Sequence, residues 1–124
     1  MKFGIHIPQI GRKAGPEAVR RGARQAEDLG FDSIWVNDHL AIPHDAPYPP
    51  SASFYEPLIT LTWAAAATSR VELGTSVLVL PLRTPAHLAK ELATLDLLSE
   101  GRVILGTGVG WMEGEFDAMG VPFG

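Results

Sequence analysis

The sequence predicts an α/β fold built around a parallel sheet. Strand-like and helix-like segments alternate along it four times, the strand-like segments are nearly continuous apolar runs, and the connections are short at all positions but one. Continuous apolar strands separated by helices require a parallel sheet covered on both faces. With right-handed crossovers two architectures satisfy this pattern: an open doubly wound sheet and one half of an eight-stranded βα barrel. A barrel takes roughly 250 residues. Four units in 124 residues amount to about half of one.

The first strand is read at Lys2–Pro8, where Phe3, Ile5 and Ile7 share one face until a proline ends the run. Gly15 and Pro16 open a helix: Glu17 complements its dipole, and Val19, Ala23, Ala26 and Leu29 recur at helical spacing until Gly30 stops it. Phe31–Asn37 follows as a second strand with Ile34, Trp35 and Val36 consecutive. The stretch from Asp38 through Pro57 contains five of the ten prolines, so Asp38–Glu56 reads as an irregular loop, and long ordered loops are disproportionately functional. Pro57–Ser69 is the second helix, with Ala64–Ala67 permitting close packing. Val71–Leu80 is the third strand, almost wholly apolar apart from Glu72, Thr75 and Ser76. Thr84 caps and Pro85 begins a third helix carrying Leu88, Leu92, Leu95 and Leu98 on one stripe. Gly101 ends that helix, Val103–Leu105 is a fourth strand, Gly106–Gly110 is a glycine-rich turn, and Met112–Met119 is a fourth helix.

Composition excludes several function classes. Ten basic and fourteen acidic residues give a net charge of −4, and the basic residues are scattered, which argues against a nucleic-acid footprint or a polybasic membrane patch. The absence of cysteine removes disulfide scaffolds, thiolate zinc sites and cysteine nucleophiles together. The longest apolar run, Leu58–Ala67, is interrupted by Thr60 and Thr62 and is too short to span a bilayer. His6, Pro8 and Gln9 break any signal-peptide core near the N-terminus. The expectation is a soluble cytoplasmic protein.

In either architecture ligands bind at the carboxyl ends of the strands. Those ends carry His6, Pro8 and Gln9; then Asn37, Asp38 and His39; then Thr75 and Ser76 with Arg83 just after; then Thr107 to Trp111. His39 leads as an acid–base or cofactor-contacting group, because an imidazole changes charge near neutral pH; the competing reading is a ring that caps the strand end. His6 alternates with Phe3, Ile5 and Ile7 and reads equally as an interior histidine, while His44 and His87 read as surface residues. Asp38, His39, His44 and Asp45 match no metal-ligand spacing, so no metal is expected. Gly106-Thr107-Gly108-Val109-Gly110 fails the dinucleotide fingerprint, whose third glycine would fall at Trp111. Its glycines still allow a ligand close to the backbone, and the following helix N-terminus offers room for a negative or electron-rich group. Neither a phosphate-binding loop nor a serine nucleophile elbow occurs. Trp63 reads as helix packing, and Trp111 as a pocket wall for a planar ring or as packing.

Lys2–Gln9, GFDSIWVNDHL at Gly30–Leu40, VELGTSVLVLPLRTP at Val71–Pro85 and AKELATLDLLSEGRVILGTGVGWMEGEF at Ala89–Phe116 together resemble the N-terminal half of the bacterial luciferase-like monooxygenase family. They are most similar to its branch that uses the deazaflavin coenzyme F(420). The resemblance covers essentially the whole chain, residues 1–124, and implies a (β/α)8 barrel of TIM type, present here as roughly the first four βα units. It further implies F(420), or else FMN, bound at the strand ends, with hydride transfer to or from a small organic substrate, with or without oxygen. His39 would be the catalytic residue beside the ring. Asp38, His39, Thr75, Ser76, Val77, Thr107 and Gly108 would form the cofactor contacts, with Ser76–Val77 as a non-prolyl cis peptide backing the ring and Asp38 binding the ring edge or orienting His39. Where some deazaflavin enzymes of this kind carry an acid directly after the glycine turn, this chain has Trp111, with Glu113 and Glu115 further on. Later segments of the family hold the cofactor's phosphate tail. The rival expectation is a non-catalytic half-barrel that forms a homodimer through its alanine-rich second helix and exposed sheet edges.

Overall fold

The computed structural model describes residues 1–44, 46 and 53–124. The chain runs β1 (Gly4–His6), α1 (Pro16–Asp28), β2 (Ser33–Val36), α2 (Pro57–Ala65), β3 (Glu72–Thr75), β4 (Leu78–Val79), a 3-10 turn at Leu80–Leu82, α3 (Pro85–Leu98), β5 (Val103–Ile104), β6 (Thr107–Gly108) and α4 (Glu113–Met119). β1, β2, β3 and β5 form one parallel sheet in that order, and β4 pairs with β6 in a second parallel ladder. Strand order therefore follows chain order, without the reversal that defines a doubly wound sheet. The helices share one face: Val19, Ala23 and Ala26 of α1, Leu58, Leu61 and Ala64 of α2, and Leu88 and Leu95 of α3 bury against Ile34, Val36 and Leu73. A singly wound sheet with its helices on one side is the arrangement of a βα barrel, which decides between the two expected architectures. Among the described residues no helix is long and apolar enough to cross a membrane.

The other face of the sheet is organised by Trp35. Its register partners are His6 on β1 and Gly74 on β3, and its Nε1 donates to Ser33 Oγ at 2.8 Å. A Cβ on Gly4 would stand 2.2 Å from the Trp35 Nε1, and one on Gly74 would stand 2.3 Å from its Cε3. The indole thus lies across three strands only because both neighbours are glycine.

Element boundaries depart from expectation where side chains compete with the backbone ladder. The second helix stops at Ala65 rather than Ser69: the amides of Ala67 and Thr68 turn to the carbonyls three residues back, and those of Ser69 and Arg70 donate to the Glu27 carboxylate of α1. Glu56, not a serine or threonine, caps its start, accepting the Ile59 amide at 2.7 Å. Thr84 holds the N-cap position of α3 but makes no side-chain cap. Leu29 and Leu98, placed on buried stripes by spacing, are 77% and 72% exposed: Leu29 is the residue at which α1 ends, and Leu98 is the last residue of α3. His6 is exposed rather than interior. Trp63 is half exposed and reaches from α2 to the start of α1, donating Nε1 to the Pro16 carbonyl at 2.9 Å.

Gly74→Ala places a methyl group inside the Trp35 contact distance, and the overpacking is expected to cost about 1–3 kcal/mol. Urea denaturation with an unchanged m-value and a lowered midpoint is the expected result.

Candidate active site at the carboxyl ends of the strands

The third strand of the sequence pattern is two strands. After Thr75 the chain turns, with Ser76 donating its amide to the Val36 carbonyl at 2.8 Å, and the Ser76–Val77 peptide is cis. It resumes as β4, whose Leu78 and Val79 pair with Thr107 and Gly108. The stretch read as a glycine turn therefore contains strand β6 at Thr107–Gly108. Thr75 Oγ1 clasps the junction between the two pairs, donating to the Gly106 carbonyl at 2.8 Å and accepting the Gly106 amide at 3.1 Å. A Cβ on Gly106 would stand 2.2 Å from the Thr75 carbonyl oxygen, and one on Gly108 would stand 2.5 Å from Val77 Cγ2. These glycines let the offset strands approach each other. The N-terminus of α4 already carries Glu113 and Glu115 in its first turn, so it does not offer the anion site expected of it.

The offset opens a cavity of about 410 Å³ at the carboxyl ends of the strands, lined by Asn37, Asp38, His39, Ser76, Val77, Val79, Gly108, Val109, Gly110, Trp111 and Glu115. The His39 ring is almost fully buried. Its Nδ1 lies 2.8 Å from Glu115 Oε2, and Trp111 and Phe54 meet it edge-on with centroids at 6.0 and 5.3 Å. Glu115 is 2% exposed and its other oxygen, Oε1, accepts the amides of Leu40 at 2.5 Å and Ala41 at 3.1 Å.

Asp38 faces away from that pair. Its Oδ2 accepts the Val79 amide at 2.9 Å, and its Oδ1 accepts from Arg83 Nη2 at 2.7 Å. Arg83 Nη1 reaches Glu56 Oε1 at 2.7 Å. Burial pushes the Asp38 carboxyl above its ordinary value, against the Val79 amide and the Arg83 charge, which pull it down. Burial works against the Arg83 charge as well, but Glu56 and Asp38 outweigh it and raise its value.

The family model for luciferase-like monooxygenase matches residues 1–124. The chain belongs to the luciferase-like monooxygenase family. An F420-dependent glucose-6-phosphate dehydrogenase of Kineococcus radiotolerans is 45% identical over 122 residues, 93% of this chain and 34% of that protein. A 5,10-methylenetetrahydromethanopterin reductase of Methanopyrus kandleri is 35% identical over 123 residues, 99% of this chain and 31% of that protein. Among solved structures, the monooxygenase RslO1 from Streptomyces bottropensis superposes with a TM-score of 0.77 at 32% identity, over 98% of this chain and 37% of the other. The chain thus spans about a third of the length of these luciferase-like relatives.

Of the residues the sequence singled out, Asp38, His39, Ser76, Val77 and Gly108 meet at this cavity. Thr75 and Thr107 are not in its lining: Thr75 is 2% exposed with its hydroxyl engaged by Gly106, and Thr107 alternates away from Gly108 along β6. Gln9 is buried, holding Asn37 through both its amide and its carbonyl. Asp38 binds Arg83 and Val79, and the carboxylate that holds the His39 ring belongs to Glu115. His44 is exposed, and Asp45 lies outside the described residues. Glu115 was not among the expected site residues, although the sequence carried a signal for it. Met112, Glu115 and Phe116 fall at i, i+3 and i+4, and Met112 and Phe116 are both buried, which puts an acid on the inward face of a helix.

Asp38→Ala leaves the Arg83 guanidinium buried without that carboxylate and the Val79 amide without its acceptor, and is expected to cost about 3–5 kcal/mol in denaturant unfolding. The paired replacement Asp38→Leu with Arg83→Met removes both charges together and is expected to cost clearly less.

Proposed function

We propose that this chain supplies the ring-facing part of a flavin- or deazaflavin-dependent oxidoreductase acting on a small organic substrate, with F(420) favoured over FMN. The observation that carries the reading is the cavity itself. Its volume lies within the range of small-molecule sites, roughly 300–1,000 Å³. A peptide backbone at Ser76–Val77 and a glycine at Gly108 wall it together with the His39 and Trp111 rings, and no lysine or arginine lines it. Such a lining suits an uncharged flat ring and not a phosphate. The preference for F(420) rests on the F420-dependent relatives at 45% and 42% identity.

The chemistry that a flavin or deazaflavin ring would supply there is hydride transfer with a substrate carbon. Ser76, Val77 and Gly108 would support one side of the ring, and Trp111 would stack or wall the other. A hydride leaves or reaches an organic molecule together with a proton, and His39 would hold or move that proton at Nε2. Burial among Phe54, Trp111 and Glu115 keeps bulk water from the imidazole.

Titration of the protein with F(420) and with FMN, followed by absorbance and fluorescence, tests the reading. Saturable binding with a Kd no weaker than tens of micromolar is expected, and Trp111→Ala should weaken it several-fold through loss of ring contact worth about 0.5–1.5 kcal/mol. His39→Ala should leave the ring bound but lower turnover by about 10²–10⁴-fold. Absence of binding by either cofactor would favour the non-catalytic module.

We also infer a homodimer through α2. The segment Pro57–Ser69 contains no charged residue, yet Ile59 is 72% and Trp63 48% exposed on its outer face. A helix apolar on all sides is ordinarily buried. Light scattering should give twice the chain mass, and Ile59→Asp should shift it to the monomer; a monomeric wild type would overturn this.

A further inference from the structure

We propose that Glu115 is a positioning residue: its buried carboxylate keeps the hydrogen of the neutral His39 ring on Nδ1 and so assigns Nε2 as the acceptor nitrogen. The consequence for turnover rests on the oxidoreductase reading above; the assignment of the tautomer does not.

The division of labour between the two Glu115 oxygens carries the inference. Oε1 takes both backbone donors, the amides of Leu40 and Ala41, and so ties α4 to the segment leaving β2, a purely structural role. Oε2 takes the imidazole, at 2.8 Å from Nδ1. An ionised carboxylate has acceptors only, so the ring nitrogen facing it must be the donor. In a neutral imidazole the second nitrogen then carries a lone pair. Both side chains are at least nine-tenths buried, so water does not compete for the contact. Asp38, the neighbouring acid, does not serve here, because its carboxylate is turned to Val79 and Arg83.

Glu115→Gln separates the two roles. The glutamine carbonyl can keep the Leu40 and Ala41 amides, while its NH₂ replaces Oε2 and presents a donor to Nδ1. The ring must then accept at Nδ1 and carry its hydrogen on Nε2. Long-range ¹H–¹⁵N correlation spectra of the labelled protein, recorded on the alkaline side of the ring's own titration, read this directly, with His39 assigned from the signal lost in His39→Ala. The expected result is the Nδ1–H form in the wild type and the Nε2–H form in Glu115→Gln, with the Leu40 and Ala41 amides equally protected from exchange in both. Turnover in the variant should fall toward that of His39→Ala while cofactor affinity changes less than about threefold.

An Nε2–H or mixed tautomer in the wild type would overturn the proposal without any variant, and so would an Nδ1–H form that persists in a folded Glu115→Gln. If the tautomers behave as stated but neither F(420) nor FMN binds, the oxidoreductase reading fails and the positioning role stands. If a cofactor binds and the tautomer ignores residue 115, the reverse holds.

Discussion

The carboxyl end of the sheet depends on one buried carboxylate. Asp38 leaves β2 and takes the amide of Val79 on β4, and through Arg83 it is joined to Glu56, which caps α2. A strand end, the resumed strand beyond the cis peptide and a helix start are thereby held relative to one another by side chains that are mostly buried. Buried ion pairs of this kind contribute little net stability, since desolvation cancels most of the attraction. Their effect is on geometry: a displaced β4 would leave a buried charge or amide unmatched, so alternatives to this arrangement are penalised more than the arrangement itself is favoured.

That constraint makes the cavity possible. A parallel sheet continued straight through Val71–Leu80 would close over its own strand ends with apolar side chains. Here the ladder passes from β3–β5 to β4–β6 with an offset, bridged by Thr75 on Gly106, and the hollow lies beside the break. The glycines follow from the same offset. Gly106 and Gly108 stand where a Cβ would meet the Thr75 carbonyl and the Val77 side chain, so their small size serves strand approach first and leaves the cavity wall bare as a result.

Much of the fold was legible because burial on both faces writes long apolar runs into a sequence, and prolines and glycines mark the helix ends at Pro16, Pro57, Pro85, Gly30 and Gly101. The alternation alone left the strand order open, since it depends on which neighbour each strand pairs with, and the barrel expectation came from the family resemblance. The break at Ser76–Val77 left no mark in hydrophobicity and entered only through the family resemblance. At the site, position at a strand end picked out Asp38, His39, Ser76, Val77 and Gly108, which line one cavity. Thr75 and Thr107 lie outside that lining, because strand-end position does not say which face a residue takes or whether its hydroxyl already has a backbone partner. Glu115, noted only as an acid beyond the glycine turn, was not assigned to the site for the opposite reason: it sits within a helix and reaches the site from 76 residues beyond His39.

The two neighbours Asp38 and His39 show how a strand end divides structural from chemical duty. Successive side chains of an extended segment point to opposite sides. Asp38 turns toward Arg83 and Val79 and fixes the walls, while His39 turns toward Glu115 and Trp111 and lines the cavity. Each of the two acids in this region therefore has a separate partner set, and neither can substitute for the other without stranding a donor. The same separation limits what the cavity can recognise. The guanidinium beside Asp38, that of Arg83, is committed to two carboxylates, so among the described residues the lining offers backbone, rings and an imidazole but no uncommitted cation.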